Sequence, residues 1–361
     1  MIINSDILLI AGPCSAESEH QLRMTVQPIK DSGKLSYFRA GLWKPRSQPG
    51  SFEGVGKVGL DWMASIKRDF GTPIITEVAN ARHAELCMKA GFDALWIGAR
   101  TAVNPFYVQE IAEALKGVPL PIFVKNPVNP DLKLWLGAIE RMEKSTGHKV
   151  YPIHRGFNLS GNTRFRNSPH WQIPIELKTL RPELELVCDP SHISGRREYI
   201  FEIAQKAFDL HYSGLMVETH YRPLAALSDS RQQISPEDLI RHLNQLTIPR
   251  SEIPSGPVLE KLKQFREEID DCDARMLQLL SRRMQISESI GDLKSAYNIS
   301  VLQPERWQSI LTAALKNGKE LGLSEEFIDQ LFKAIHDESI DRQTATGRVG
   351  VGPFSEKVLP D

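Results

Sequence analysis

A chain of 361 residues is too long for one ordinary hydrophobic core, so two domains are expected. Its 44 basic and 45 acidic residues leave a formal charge of −1, without the basic excess that marks nucleic-acid binders, and no apolar run is long enough to span a bilayer. Cysteines 14, 87, 188 and 272 lack framework spacing, and the N-terminus lacks a basic signal-peptide region, so a reduced, cytoplasmic setting is expected.

From residue 7 to about 246, short apolar runs alternate with helix-period segments. Strands are predicted at Ile7–Ile10, Tyr37–Ala40, Pro73–Val78, Ala94–Gly98, Pro121–Val124, Lys149–Ile153, Glu185–Cys188 and Gly214–Val217. Helices are predicted at Glu19–Ser32, Gly56–Asp69, Arg82–Ala90, Pro105–Lys116, Leu132–Ser145, Ile173–Leu180, Arg196–Leu210 and Asp238–Leu246. The last has a start signal: Ser235 as N-cap, Pro236 at N1 and Asp238 completing a capping box. Eight β-α pairs in about 240 residues fit an α/β fold of the closed (β/α)8 TIM-barrel type better than a doubly wound sheet.

Such a barrel concentrates chemistry where each strand ends. Cys14 follows the first strand, Arg39 and Lys44 end the second, Glu77 lies in the third and Arg100 follows the fourth. Lys125 follows the fifth, Arg155 the sixth, Asp189 and His192 the seventh, Glu218 and Asp229 the eighth. Cys14, His192, Glu218 and Asp229 make a mixed-ligand set for a divalent metal ion. Five cations on the same mouth would bind a substrate carrying phosphate and carboxylate charges, with Glu77 and Asp189 counted among the substrate-binding residues. Taken singly, each has a plainer reading: a buried Cys is a small hydrophobe, a lone Glu a salt-bridge partner, an isolated Arg a solvated charge. The joint pattern outweighs these, whereas His154 and His220 keep a structural reading.

Gly12-Pro13-Cys14-Ser15, Arg39 with Lys44-Pro45-Arg46-Ser47, Ile97-Gly98-Ala99-Arg100, Val124-Lys125, His154-Arg155-Gly156, Asp189-Pro190-Ser191-His192, and Val217-Glu218-Thr219-His220 with Leu227-Ser228-Asp229 together resemble 3-deoxy-D-arabino-heptulosonate 7-phosphate synthase, in its shorter microbial type. The resemblance covers roughly residues 7–246. It implies condensation of phosphoenolpyruvate with erythrose 4-phosphate, the entry to the shikimate pathway. It also implies that Cys14, His192, Glu218 and Asp229 bind Mn²⁺, Fe²⁺, Co²⁺ or Zn²⁺. Arg39, Lys44, Arg100, Lys125 and Arg155 would hold phosphoenolpyruvate, Arg46 and Ser47 the aldehyde's phosphate, and Lys44 would also give a proton to the new alkoxide. Proline after Lys44, where the related eight-carbon sugar-acid synthases differ, argues for the four-carbon aldehyde. Many members of this type carry a small regulatory domain before the barrel. Here the first strand begins near residue 7, so regulation is expected from the other end.

Residues 247–257 hold three prolines and a glycine and read as a semi-rigid linker closing a barrel domain at 1–246. Residues 258–345 are helical in period almost throughout, and the Gly- and Pro-bearing tail, 346–361, reads as flexible. The first helix, about Val258 to Tyr297, shows an apolar stripe through Leu259, Leu262, Phe265, Ile269, Met276, Leu280 and Ile290. Forty residues span about 60 Å, too long for the two shorter helices starting near Pro304 and Ser324 to cover. The all-α three-helix domain is therefore expected to form a homodimer. Arg283 and Lys294 share a face within roughly 20°, whereas Arg266 lies about 25 Å back along the axis. If Arg266 serves the same site, it arrives from another chain.

Phe265-Arg266-Glu267-Glu268-Ile269-Asp270, Leu279-Leu280-Ser281-Arg282-Arg283, Gly291 with Lys294, Pro304-Glu305-Arg306, and Asp337-Glu338-Ser339 with Gln343 resemble the all-helical chorismate mutases, which are intertwined dimers. The resemblance implies that Arg266 and Arg283 bind the carboxylates of chorismate, that Lys294 and Gln343 hydrogen-bond its ether oxygen, and that Arg306 lines the site. Two positions depart from the pattern: Gln303 stands where an acidic residue is expected, and Trp307 where a Glu is. The expected protein is a bifunctional synthase and mutase with prephenate as product, and with feedback by prephenate or chorismate through the helical domain. The rival is a monofunctional synthase whose helical part only binds an effector and dimerises.

Overall fold

The computed structural model describes residues 7–44, 50, 52–158, 164–249 and 255–346. The chain divides at residues 251 and 252 into two compact units.

In the first unit eight parallel strands close into a barrel in sequence order, with β8 hydrogen-bonded back to β1. The strands are β1 (Leu8–Gly12), β2 (Tyr37–Arg39), β3 (Ile74–Val78), β4 (Ala94–Ile97), β5 (Ile122–Lys125), β6 (Val150–His154), β7 (Val187–Cys188) and β8 (Gly214–Glu218). The helices between them are α1 (Glu19–Asp31), α2 (Val58–Phe70), α3 (Ala81–Lys89), α4 (Ala99–Ala102), α5 (Pro105–Ala114), α6 (Leu132–Thr146), α7 (Gln172–Leu180), α8 (Pro190–Ser194), α9 (Ile200–Asp209) and α10 (Pro236–Leu243). Alternate residues of each strand face inward. Ile10, Ile75, Ala94, Trp96, Phe123, Ile153, Val187 and Met216 fill the barrel interior. The opposite faces join Leu22, Val26, Met63, Ile66, Trp135, Ile139 and Ile203 in a larger shell under the helices. Each fully buried Leu, Ile or Met contributes about 1.5–3 kcal/mol.

Local chemistry places the helix ends. Ser18, Asn80, Asp131 and Ser235 each accept a backbone N–H from the first turn of α1, α3, α6 and α10. The expected cap at Ser235 is present, and α10 begins at Pro236, two residues ahead of its predicted start. Two predicted elements change. Arg196–Leu210 is a 3-10 turn at Arg197–Tyr199 followed by α9, and Arg100 sits inside the short helix α4.

The second unit holds α11 (Pro257–Ala296), α12 (Pro304–Glu320) and α13 (Glu325–Thr346). Pro257 and Pro304 occupy first-turn positions where a missing N–H costs nothing, and Ser324 accepts the Phe327 N–H at 3.3 Å. Helices α12 and α13 meet closely at Gly318, where an added Cβ would stand 2.6 Å from Ile328 Cγ1. Along α11 only Ser287 and Gly291 are buried. Phe265, Ile269 and Met276 of its apolar stripe lie 48–59% exposed, with Leu277 and Leu279 beside them at 68% and 69%, so much of the first half of the stripe is uncovered. Among the described residues no helix is long and apolar enough to cross a membrane.

Candidate active sites

At the C-terminal mouth of the barrel, ligand atoms of Cys14, Glu218 and Asp229 lie within 4.8 Å of one another. The Cys14 thiol donates to Asp229 Oδ2 at 3.4 Å. His192 Nε2 stands 3.8 Å from Glu218 Oε1, while its Nδ1 faces Asp189 Oδ2 at 2.8 Å. A carboxylate behind a ring nitrogen orients the other nitrogen toward a metal, so this donor set fits a divalent cation. Burial, Glu218 and Asp229 push the Cys14 thiol up to about 12, so a cation would have to displace its proton. Burial alone would raise the Glu218 and Asp229 carboxyls. Neighbouring side chains, His192 and Arg39 for the first and Arg166 and His192 for the second, hold both below their usual range.

Around these ligands stands a ring of cations. Arg39 is fully buried; its Nη2 donates to Glu218 Oε1 at 3.1 Å, and its guanidinium lies 4.9 Å from the Trp96 ring. Its Nε and Nη1 are buried without a hydrogen-bond partner among the described residues. Two desolvated donors left open in this way mark a place for an oxyanion. Lys125 donates to Asp189 Oδ2 at 2.7 Å. Burial opposes the charge of Lys44, but Cys14, Glu77 and Glu218 more than offset it and raise its ammonium above the usual range. Gly41 makes room for it, since a Cβ there would meet Lys44 Cε at 2.5 Å. Arg155 is pushed down to about 10, chiefly by burial and then by Arg166 and Arg100, and stays protonated at neutral pH. Three arginines that repel one another would be relieved by an anion between them.

Two substrate-binding expectations take a supporting place. Asp189 is fully buried: Oδ1 accepts the His192 N–H at 3.0 Å, and Oδ2 meets Lys125 and the His192 ring. Glu77 accepts from Trp96 Nε1 at 3.1 Å and packs on Gly98, where a Cβ would lie 2.1 Å from its Oε1. Arg46 and Ser47 lie outside the described residues, as do 250–254 of the predicted linker and the tail beyond 346. Buried His154 bonds Pro169 O and Tyr212 Oη, at 2.7 and 3.0 Å, in keeping with its structural reading. His220 Nε2 stands 3.5 Å from Glu17 Oε2.

Several residues escaped the sequence reading. Arg166 donates to Asp229 Oδ1 at 3.0 Å and to Gln232 Oε1 at 2.7 Å, while Gln232 Nε2 donates to Glu218 Oε2 at 2.7 Å. Gln233 accepts the Cys14 N–H at 3.0 Å, and Asn167 accepts from Arg155 at 2.9 Å. The only signal was the polar run Ser228–Gln233 beside Asp229.

In the helical unit Arg283 donates to Ser339 Oγ and, at 3.5 Å, to Ile335 O. Lys294 donates to Val301 O at 2.7 Å, keeping two further protons for a ligand. Gln343 follows Ser339 by one turn on the same helix face. Arg266 and Arg306 are exposed, and Arg266 has no hydrogen-bond or ion-pair partner among the described residues. A straight α11 keeps it about 25 Å from Arg283 in its own chain. Trp307 stacks on His336 at 4.0 Å, with 10° between the rings. His336, Ser339 and Gln343 share one face of α13, so this stack stands on the same side as the Arg283 contact.

A closed parallel barrel with a candidate metal-ligand cluster and a cation ring at its mouth defines an enzyme class that handles small phosphorylated anions, joined here to a helical unit with its own cluster of cations. Residues 3–251 match the model of the DAHP synthetase I family, and residues 265–344 match that of chorismate mutase type II. The chain belongs to the DAHP synthetase I family and carries, after that domain, a chorismate mutase domain. A phospho-2-dehydro-3-deoxyheptonate aldolase of Thermotoga maritima is 28% identical over 247 residues, covering 67% of this chain and 70% of the relative. A 2-dehydro-3-deoxyphosphooctonate aldolase of Helicobacter pylori is 26% identical over 256 residues, covering 65% and 92%. The crystal structure of a Thermotoga maritima DAHP synthase superposes with a TM-score of 0.60 at 26% identity, covering 68% of this chain and 69% of that one. A truncated form of the Thermotoga maritima synthase gives 0.58 at 24% identity, which bears on the fold alone.

Proposed function

We propose that the barrel condenses phosphoenolpyruvate with erythrose 4-phosphate in a metal-dependent reaction, and that the helical unit rearranges chorismate to prephenate. The observation that carries the first half is the pair of unfilled Arg39 donors beside the Cys14, Glu218 and Asp229 cluster. A divalent ion (Mn²⁺, Fe²⁺, Co²⁺ or Zn²⁺) held by these three and His192 would supply Lewis acidity toward the aldehyde oxygen. Arg39, Arg100, Lys125 and Arg155 bind the phosphate and carboxylate of phosphoenolpyruvate and fix its enol carbon toward the aldehyde carbon. Arg46 and Ser47 take the aldehyde's phosphate. As the carbon–carbon bond forms, Lys44, between Cys14 and Glu77, delivers a proton to the new alkoxide. Water adds at the phosphate-bearing carbon, and inorganic phosphate leaves.

The test is product formation by purified protein stripped of metal and reloaded with each of the four ions. Activity that survives chelation would sink the metal reading. The relatives named above include both heptonate and octonate aldolases at similar identity. Arabinose 5-phosphate, offered in place of erythrose 4-phosphate, separates them, and turnover of the four-carbon aldehyde alone is expected.

In the helical unit Arg283, Lys294, Arg306 and Gln343 of one chain, with Arg266 of a second copy, would hold the compact conformer of chorismate. Charge developing at its ether oxygen would meet Lys294. The uncovered first half of α11 supports a homodimer. Two features favour a non-catalytic effector module instead: Gln303, and the Trp307–His336 stack where the family expects a carboxylate. Chorismate disappearance with wild type but not Lys294→Ala separates the two readings. The fusion also supports feedback through the helical unit; equal synthase rates with and without saturating prephenate would refute it. All substrates are small cytoplasmic metabolites, which supports a cytoplasmic location.

A further inference from the structure

Beside the metal-ligand cluster lies a cavity of about 490 Å³ that the reaction outlined above does not use. Asp229, Arg166 and Gln232 form one wall, which is shared with the catalytic mouth. The other wall is made by Ser194–Arg196, Ser230–Arg231 and Arg164–Phe165. Of the described residues expected to hold phosphoenolpyruvate, none lines it. The charge balance is one-sided: four arginines face a single carboxylate, Asp229. Two of the four are already engaged. Arg164 pairs with Glu202 through two bonds of 2.9 and 2.6 Å, and Arg166 is held by Asp229 and Gln232. Arg196 and Arg231 differ: among the described residues neither guanidinium has a hydrogen-bond or ion-pair partner.

Their placement follows from the backbone. Gly195 closes α8 at φ 67°, and a Cβ there would collide with Arg166 Cβ at 2.3 Å. That turn lets Arg166 lie flat against the chain and sends Arg196 off the end of the helix. The Arg197 N–H bonds Arg231 O at 3.1 Å, and its side chain bonds Ser230 O at 3.0 Å, tying the two loops together. Arg196 and Arg231 therefore project from segments fastened to each other, as a two-pronged oxyanion clamp requires.

We propose that this cavity is a second phosphate station, taking a dianionic phosphate on Arg196 and Arg231 next to the reacting centre. The reaction offers two sources of that chemistry: the phosphate of the incoming aldehyde on its way to Arg46 and Ser47, or the inorganic phosphate on its way out. The proposal rests on the synthase reading for its sources but not for the binding itself. The experiment uses full-length protein saturated with phosphoenolpyruvate, without aldehyde, titrated with inorganic phosphate by calorimetry. Wild type is compared with Arg196→Ala/Arg231→Ala, and circular dichroism and metal content serve as folding controls. A loss of about tenfold or more in affinity for the added phosphate is expected in the variant. Steady-state rates then separate the sources. A raised KM for erythrose 4-phosphate with kcat kept assigns the station to the aldehyde, and weakened product inhibition with KM kept assigns it to released phosphate. Equal phosphate affinity in wild type and the folded variant overturns the proposal. Failure of the synthase reading would appear separately, as absence of turnover in wild type.

Discussion

The two units build their cationic sites in opposite ways. At the barrel mouth the charged groups are braced within one chain: Arg39 on Glu218 and Lys125 on Asp189 are buried pairs, and the more exposed Arg166 pairs with Asp229. Buried pairs of this kind add little net stability, because desolvation offsets most of the attraction. Their value lies in holding charge where a ligand will need it. Of the four candidate site cations in the helical unit, Arg266 and Arg306 are exposed, while Arg283 and Lys294 are bonded within their own chain. The barrel site is preorganised by closure of the sheet, whereas the helical unit leaves much of the first half of α11 uncovered.

Substitutions should separate the two sharply. Cys14→Ser or Glu218→Gln should lower synthase turnover on the order of a thousandfold and reduce bound metal, with chorismate consumption unchanged. Parallel assays and elemental analysis of one preparation check this, and a matching fall in both activities would erase the contrast. Lys294→Ala should do the reverse, lowering mutase turnover about a hundredfold or more while the synthase rate stays within twofold.

A sharper probe mixes two variants. Arg266→Ala and Arg283→Ala should each lose mutase activity. After co-refolding in equal amounts, half the dimers are mixed, each with one intact site, so roughly a quarter of wild-type activity should return. No recovery would mean that each site is completed within its own chain.

The smallest effect concerns stability. Burial pushes the His154 imidazole down to about 3 from its ordinary 6.5. The unfolded chain therefore binds a proton in that window that the folded one refuses, and stability falls as pH drops from 6.5 toward 3. Between pH 7 and 5 this should cost roughly 2 kcal/mol, read as a shift in urea midpoint. His154→Gln should be less stable at pH 7 yet flatter across the same range.

Much of this architecture was legible in advance, for physical reasons. A barrel strand is a short apolar run that ends in polar residues, so β1 through β8 could be read from composition, and the residues after them fell at one mouth. What stayed hidden lacks periodicity. Helices α4 and α8 are too short to show a helical period, and Arg166 and Gln232 reach Asp229 from irregular loops. The Trp307–His336 stack depends on how α12 crosses α13, which the spacing within either helix does not record. Asp189 was found at the right place but reads differently once its neighbours are seen, because both its oxygens are already taken.

The bare first half of α11 also has a consequence for how the two activities respond to dilution. A barrel that closes on itself turns over in proportion to the number of chains present. A helical site that needs Arg266 from a second copy follows the number of chain pairs. Below the dissociation constant of the dimer, that number grows with the square of the chain concentration. Diluting the protein would then silence the second reaction first, and the ratio of the two rates would report how crowded the chain is with its own kind.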